Sequence, residues 1–188
     1  MRPVRTTLLF AMLAIPALAA SYSLELKPEA TKVEWTLADT LHIVHGTFNV
    51  KSGKIEFDPE KGTASGEVTV DVASGASGSG ARDHRMHANI LESGKFPEAI
   101  FTPDRMEGKL AVPGSSTVRL HGMLKIHGSA HELWMNVEAK ATESQIESVI
   151  TFEIPYVAWG IKDPSNFLFK VNKSVQCSIR TVSPLVKR

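Results

Sequence analysis

The feature that most restricts this chain is a period of two. Val33, Trp35 and Leu37 alternate with Glu34 and Thr36, and Val68, Val70 and Val72 alternate with Glu67, Thr69 and Asp71. An extended backbone sends successive side chains to opposite faces, so each run describes a strand with one dry face and one wet face. The pattern returns at Phe48 and Val50, at Ile55 and Phe57, and at 99–102 and 106–112. It is clearest where Val118, Leu120, Leu124 and Ile126 share one face and Arg119, His121, Lys125 and His127 the other. Gly122 falls on the inner face, where a missing side chain leaves room for a neighbour or a ligand. Further runs are Leu133, Met135, Val137 and Ala139, then Ile146, Ile150, Phe152 and Ile154. The last comprises Phe167, Phe169 and Val171, resuming at Val175, Cys177 and Ile179.

Turn chemistry separates these runs. Ser52-Gly53, Asp58-Pro59, Lys61-Gly62, Pro103-Asp104, Pro113-Gly114, Gly128-Ser129-Ala130 and Asp163-Pro164-Ser165-Asn166 all interrupt an extended backbone. Only one stretch reads as a helix. After a Gly/Ser-rich hinge at 74–80, residues 81–93 are good or tolerable helix formers, with Met86 and Ile90 on one face. Gly94 is placed to cap it, and Lys95-Phe96-Pro97 stops it. The expected class is all-β with one inserted helix: an antiparallel β-barrel of about eight strands, with the helix over 81–93 capping one end. From the pattern alone a β-sandwich remains the alternative.

Residues 1–20 belong to a different kind of segment. Arg2 and Arg5 precede an apolar centre at 8–15, and Ala17-Leu18-Ala19 supplies an A-x-A cleavage site. This predicts a secretory leader over 1–19 and a domain over 20–188. The apolar centre is short of the ~20 residues of a spanning helix, and Pro16 interrupts it, so no stable membrane insertion is expected after cleavage. The expected location is periplasmic or secreted. The single cysteine, Cys177, excludes an intramolecular disulfide and alternates as a small buried hydrophobe. A formal net charge of +1 without basic blocks carries no footprint for nucleic acid.

Chemistry-bearing motifs are sparse. The seven histidines are the only catalytic signal: His84 and His87 share a helix face, and His127 and His131 flank a turn. The serines lack a G-x-S-x-G setting, and the glycines of 75–80 lack the Lys-Ser/Thr ending of a phosphate loop. Arg82-Asp83 suits an ion pair that anchors the helix, or an arginine meeting a ligand head group.

The ordered run of motifs resembles the YceI-like, polyisoprenoid-binding family of the bacterial periplasm. The resemblance begins at Tyr22-Ser23-Leu24 and the Val33-Glu34-Trp35 strand, and continues through Gly46-Thr47-Phe48 and Gly53-Lys54-Ile55-Glu56-Phe57-Asp58. Its most specific part is Arg82-Asp83 opening a short helix, followed by Phe96-Pro97-Glu98-Ala99-Ile100-Phe101. It closes with Tyr156-Val157-Ala158-Trp159-Gly160 and the strand at 171–179. It implies a lipocalin-like barrel whose apolar channel takes a long isoprenoid or amphiphilic lipid, such as an isoprenoid quinone or a polyprenyl lipid, with no catalytic cofactor. A homodimer stays open. Alternation and resemblance together nominate Trp35, Leu37, Phe48, Phe57, Val68, Val70, Phe101, Leu120, Leu124, Ile126, Met135, Phe152 and Phe169 as lining, with Arg82, His84 and His87 near the mouth. The expectation is a binding protein and not an enzyme; the alternative is a metal-dependent enzyme using histidines at the barrel mouth.

Overall fold

Most of the alternating runs become strands of one antiparallel sheet in the computed structural model, which describes residues 21–167 and 169–188; the run expected at 106–112 leaves the sheet after Glu107. The leader expected over 1–19 lies outside the described residues. The strands are β1 (Tyr22–Glu25), β2 (Thr31–Ala38), β3 (Ile43–Asp58), β4 (Thr63–Ala76), β5 (Glu98–Glu107), β6 (Gly114–Ile126), β7 (Ser129–Ala141), β8 (Gln145–Ile154) and β9 (Val175–Lys187). From β4 to β9 every strand pairs with its sequence neighbour. Short connections make antiparallel neighbours the cheap solution.

Closure depends on two further pairings. The long strand β3 reaches β4 over Thr47 to Asp58 on one edge, and β1 and β2 on the other. β9 in turn pairs with β2 through Val33↔Ile179 and with β1 through Leu24↔Leu185. β1 and β2 therefore occupy successive stretches of the same slot between β3 and β9, broken by a 3-10 turn at Pro28–Ala30. The result is a closed eight-strand antiparallel barrel with one extra strand, which decides against the sandwich.

Two expected turns are strand interior. β3 runs straight through Ser52-Gly53, where the pairing with β4 shifts by a residue and Leu26 packs on the bare Gly53. β5 runs through Pro103-Asp104, where a similar bulge absorbs the proline that lacks an N–H. Conversely, Phe167 and Phe169 lie outside any strand where one was expected, and Val171 joins the sheet only through its bridge to Asp39.

The helix α1 (Gly80–Arg85) continues into a wider turn, Met86–Ile90, in which Leu91 N–H reaches Met86 O at 2.8 Å. The wider turn sets both Ile90 and Leu91 against the barrel's upper cluster. Glu92, not Gly94, takes the left-handed backbone (φ 44°) that reverses the chain, and its carbonyl accepts from Lys95 N–H and Phe96 N–H. The hinge is shorter than expected, since β4 persists to Ala76. The helical segment lies at the barrel end shared by the 39–42 and 127–128 tips and the 155–174 connection; β1 and the chain's C-terminus lie at the other. Among the described residues no helix is long and apolar enough to cross a membrane.

Candidate functional site

Register places the inward side chains in rows around the wall. One row runs Phe48, Val33, Ile179, Ile150, Val137 and Val118 across β3, β2, β9, β8, β7 and β6. The next row toward the helix end contains Gly46, Trp35, Cys177 and Phe152. The row below the first is polar: Thr31, Thr181, Ser148, Ala139 and Ser116. Within it Thr31 Oγ1 and Thr181 Oγ1 share a hydrogen bond of 2.9 Å, and Thr181 Oγ1 reaches Ser183 Oγ at 3.2 Å. This hydroxyl belt is the part of the interior that apolar alternation misses. The signal was present, since Thr181 and Ser183 continue the phase of Cys177 and Ile179.

Around these rows the apolar residues form two clusters. The lower one contains Phe57, Met106, Val118, Ile146 and Leu185, and Tyr22 stacks on Phe57 at 5.7 Å to close that end. The upper one contains Val68, Phe101, Leu124 and Met135, with Leu37, Phe48, Val70, Leu120, Ile126 and Phe152 half-buried against it. Trp35 is buried, with its indole over Gly46 and its Nε1–H without an acceptor among the described residues. The wall thus gathers the apolar candidates from β2 to β8 inside. It does not gather Arg82 and Phe169. Arg82 is exposed on α1 and donates to Ser77 Oγ at 2.7 Å and to Ser77 O at 2.8 Å; Phe169 is exposed on the loop after β8. Asp83 also accepts from Ser77 N–H and Oγ–H, so Arg82 and Asp83 converge on one serine.

Burial inside the wall is incomplete. The buried apolar residues keep 3 to 9 % of their surface, and among the described residues Ser183, at 0 %, is the fully buried side chain. The half-buried inward residues Leu37, Phe48, Ile126, Phe152 and Val175 lie toward the helix end. Cys177 shares this character: burial pushes its thiol up to about 12, yet the residue retains accessible surface. Two open depressions, of about 1030 and 670 Å³, are each lined by residues of both faces: the first by Thr31, Ser148 and Thr181 with Lys32, Lys140 and Arg180, the second by Trp35, Gly46 and Cys177 with Glu34, His45 and Gln176.

The histidines are dispersed. His87 bridges Gly75 O (2.8 Å) and Ser93 Oγ (3.1 Å), tying the helical segment to the end of β4. His84 is exposed on α1. His127 contacts Glu92 at 2.9 Å, and His131 stacks on Trp159 at 4.3 Å. His121, expected to face solvent, is buried on the outer wall between Asp104 (2.6 Å) and Glu132 (2.8 Å), with Trp134 at 4.6 Å. The Asp104 hydrogen bond, aided by Glu132, raises its pKa against the effect of burial. Two carboxylates on opposite ring nitrogens leave neither nitrogen for a metal. Among the described residues no three His, Cys, Asp or Glu side chains group to hold one.

Comparison with known proteins agrees with this architecture. The YceI-like domain profile matches residues 24–183. BcnA of Burkholderia cenocepacia is similar in structure, with a TM-score of 0.68, 20 % identity, and 84 % of this chain and 98 % of that one covered. A polyisoprenoid binding domain from Saccharophagus degradans, implicated in plant cell wall breakdown, gives 0.64 at 15 % identity, covering 87 % and 97 %. The Campylobacter jejuni YCEI protein gives 0.56 at 14 %, covering 96 % and 92 %. No curated protein sequence matches the chain. With the profile spanning nearly all of β1 to β9, and the same closed barrel in these structures, the chain belongs to the YceI-like family.

Proposed function

We propose that the protein binds a long isoprenoid or other amphiphilic lipid, with its apolar chain inside the barrel and its polar end toward the helix. What supports this reading is a set of inward apolar side chains that the closed wall leaves only half-buried near the helix end. Leu37, Phe48, Ile126 and Phe152 face inward yet stay half-buried. Each C5 unit inserted there removes several CH2 equivalents from water at about 0.8 kcal/mol apiece, enough to retain a long chain without a charged contact. The polyisoprenoid binding named for the Saccharophagus degradans domain supports the same ligand class. The packed lower cluster at the opposite end supports entry of the chain beside the helical segment.

The role that follows is carriage or sequestration and not catalysis. It fits an exported domain over 20–188 released from a leader over 1–19, and fractionation of cells producing the protein tests that location. Solvent extraction and native mass spectrometry of freshly purified protein test the binding. A co-purifying prenyl or acyl lipid is expected; protein that is empty and also refuses added prenyl chains rejects the proposal.

A further inference from the structure

Four of the seven exposed large apolar side chains among the described residues gather at one place, the others being Met123 on β6 and Val182 and Val186 on β9. The tip between β2 and β3 carries Leu41 and Ile43, exposed by 67 % and 65 %, and the loop after β8 carries Phe167 and Phe169, exposed by 94 % and 41 %. These segments are joined. Asp39 bridges Val171, Asn172 N–H donates to Ala38 O at 2.9 Å, and Thr40 Oγ1 accepts from Lys170 N–H at 3.1 Å. Each is also fixed internally: Asp39 Oδ1 accepts from Leu41 N–H and His42 N–H, both at 2.8 Å, and Asn166 Oδ1 accepts from Phe169 N–H at 2.8 Å. A contiguous apolar patch on hydrogen-bonded segments marks an interaction surface.

Charge indicates which partner. Lys162, Lys170 and Lys173 lie in the same connection and enter no salt bridge among the described residues. The nearby acids are used mainly inside turns: Asp39 as above, and Asp163 on Ser165 N–H at 2.8 Å, with Lys173 and Lys170 as weaker charge neighbours. Apolar tips interleaved with lysines outside any salt bridge match the boundary between acyl chains and anionic headgroups. The patch also adjoins the barrel mouth, since the β2–β3 tip continues directly from inward Leu37.

We propose that this end of the barrel docks on an anionic lipid bilayer, with Leu41, Ile43, Phe167 and Phe169 entering the interface and Lys162, Lys170 and Lys173 meeting headgroups. The proposal rests on the lipid-binding reading for its purpose, because docking sets the mouth against a membrane from which a lipid enters or leaves. Its observations are separate, all lying outside the wall.

Sedimentation of the purified protein with phosphatidylglycerol-containing and pure phosphatidylcholine vesicles tests it, with co-purifying lipid measured on the same preparation. Binding to the anionic vesicles is expected, at least about tenfold weaker to phosphatidylcholine alone, and weakened about fivefold by K170Q. The double variant L41S/F167S is expected to lose at least about tenfold in vesicle affinity with an unchanged thermal midpoint, since both side chains are exposed. Absent binding in protein that still holds lipid overturns docking, as does equal binding to both vesicle types or an unaffected double variant. Vesicle binding by protein that takes no lipid overturns the cargo reading and leaves docking standing.

Discussion

His121 follows inward Leu120 in β6, and the alternation of that strand turns it outward, toward water. The flanking strands change its surroundings. Asp104, brought round by the bulge in β5, and Glu132 on β7 take one ring nitrogen each, while Trp134 covers the ring. The Asp104 bond is the main cause of the raised pKa, with Glu132 adding and burial and Arg105 opposing. A folded-state pKa above the unfolded value of about 6.5 means that the stabilisation is complete below that pH and is lost as pH rises through the folded pKa. Urea titrations of wild type and H121Q from pH 5 to 9 are therefore expected to show their widest gap at the acid end. A gap that does not vary with pH excludes the charged clamp. Gly122, one position on, was expected to leave room, and the occupant is Phe101: a Cβ there would meet Phe101 Cζ at 2.8 Å and overlap the Thr102 carbonyl. G122A is expected to cost about 1–3 kcal/mol, read as a lowered midpoint in chemical denaturation.

At the scale of elements, the helical segment is attached and not freely hinged. Ser77 takes hydrogen bonds from Arg82 and gives them to Asp83, and His87 reaches back to Gly75 at the end of β4. Gly75 is required there, since a Cβ would crowd Phe48 and Met86. The segment holds few buried contacts beyond Ile90 and Leu91, so it opens more easily than the wall. Removing its polar attachment with H87A is expected to raise hydrogen-exchange rates across 80–96 roughly tenfold or more, with β6 to β9 unaffected. The same variant is expected to speed release of bound lipid. Uniformly faster exchange throughout the barrel instead means that the histidine supports the core.

For the whole molecule, the deciding property is whether the closed wall surrounds space. A filled interior resists a larger side chain at a cost of about 1–3 kcal/mol. A hollow one accepts it. C177F places a ring beside Phe152 and Trp35, its neighbours across β8 and β2. The expected outcome is a fold within about 1 kcal/mol of wild type and a clear fall in lipid bound per protein, read by extraction. A strongly destabilised variant identifies a solid centre. The thiol offers an independent check, since burial that pushes it up to about 12 predicts slow reaction with disulfide reagents near pH 8.

Much of this architecture is legible in the residues. Period-two alternation identifies β2, β4, β6, β7, β8 and the start of β9, because pleating alone fixes which side chains share a face. The Gly/Ser run and the helix formers after it mark the single helical insertion. Other features exist only through contacts distant in sequence. Ser52-Gly53 and Pro103-Asp104 carry turn chemistry, yet pairing with neighbouring strands draws both into bulged strands. Phe167 and Phe169 read as inward strand residues, but hydrogen bonds from Phe169 N–H to Asn166 Oδ1 and from Lys170 N–H to Thr40 Oγ1 take them out of the sheet and to the rim. The hydroxyl belt, the burial of His121 and the meeting of β9 with β1 and β2 also arise from partners far along the chain. Local residue order therefore determined the strands and their dry faces, because those depend on backbone geometry and hydrophobicity over a few residues. The tertiary structure alone decided that the sheet closes and which side chains it encloses, because closure depends on register between strands that meet only in the folded chain.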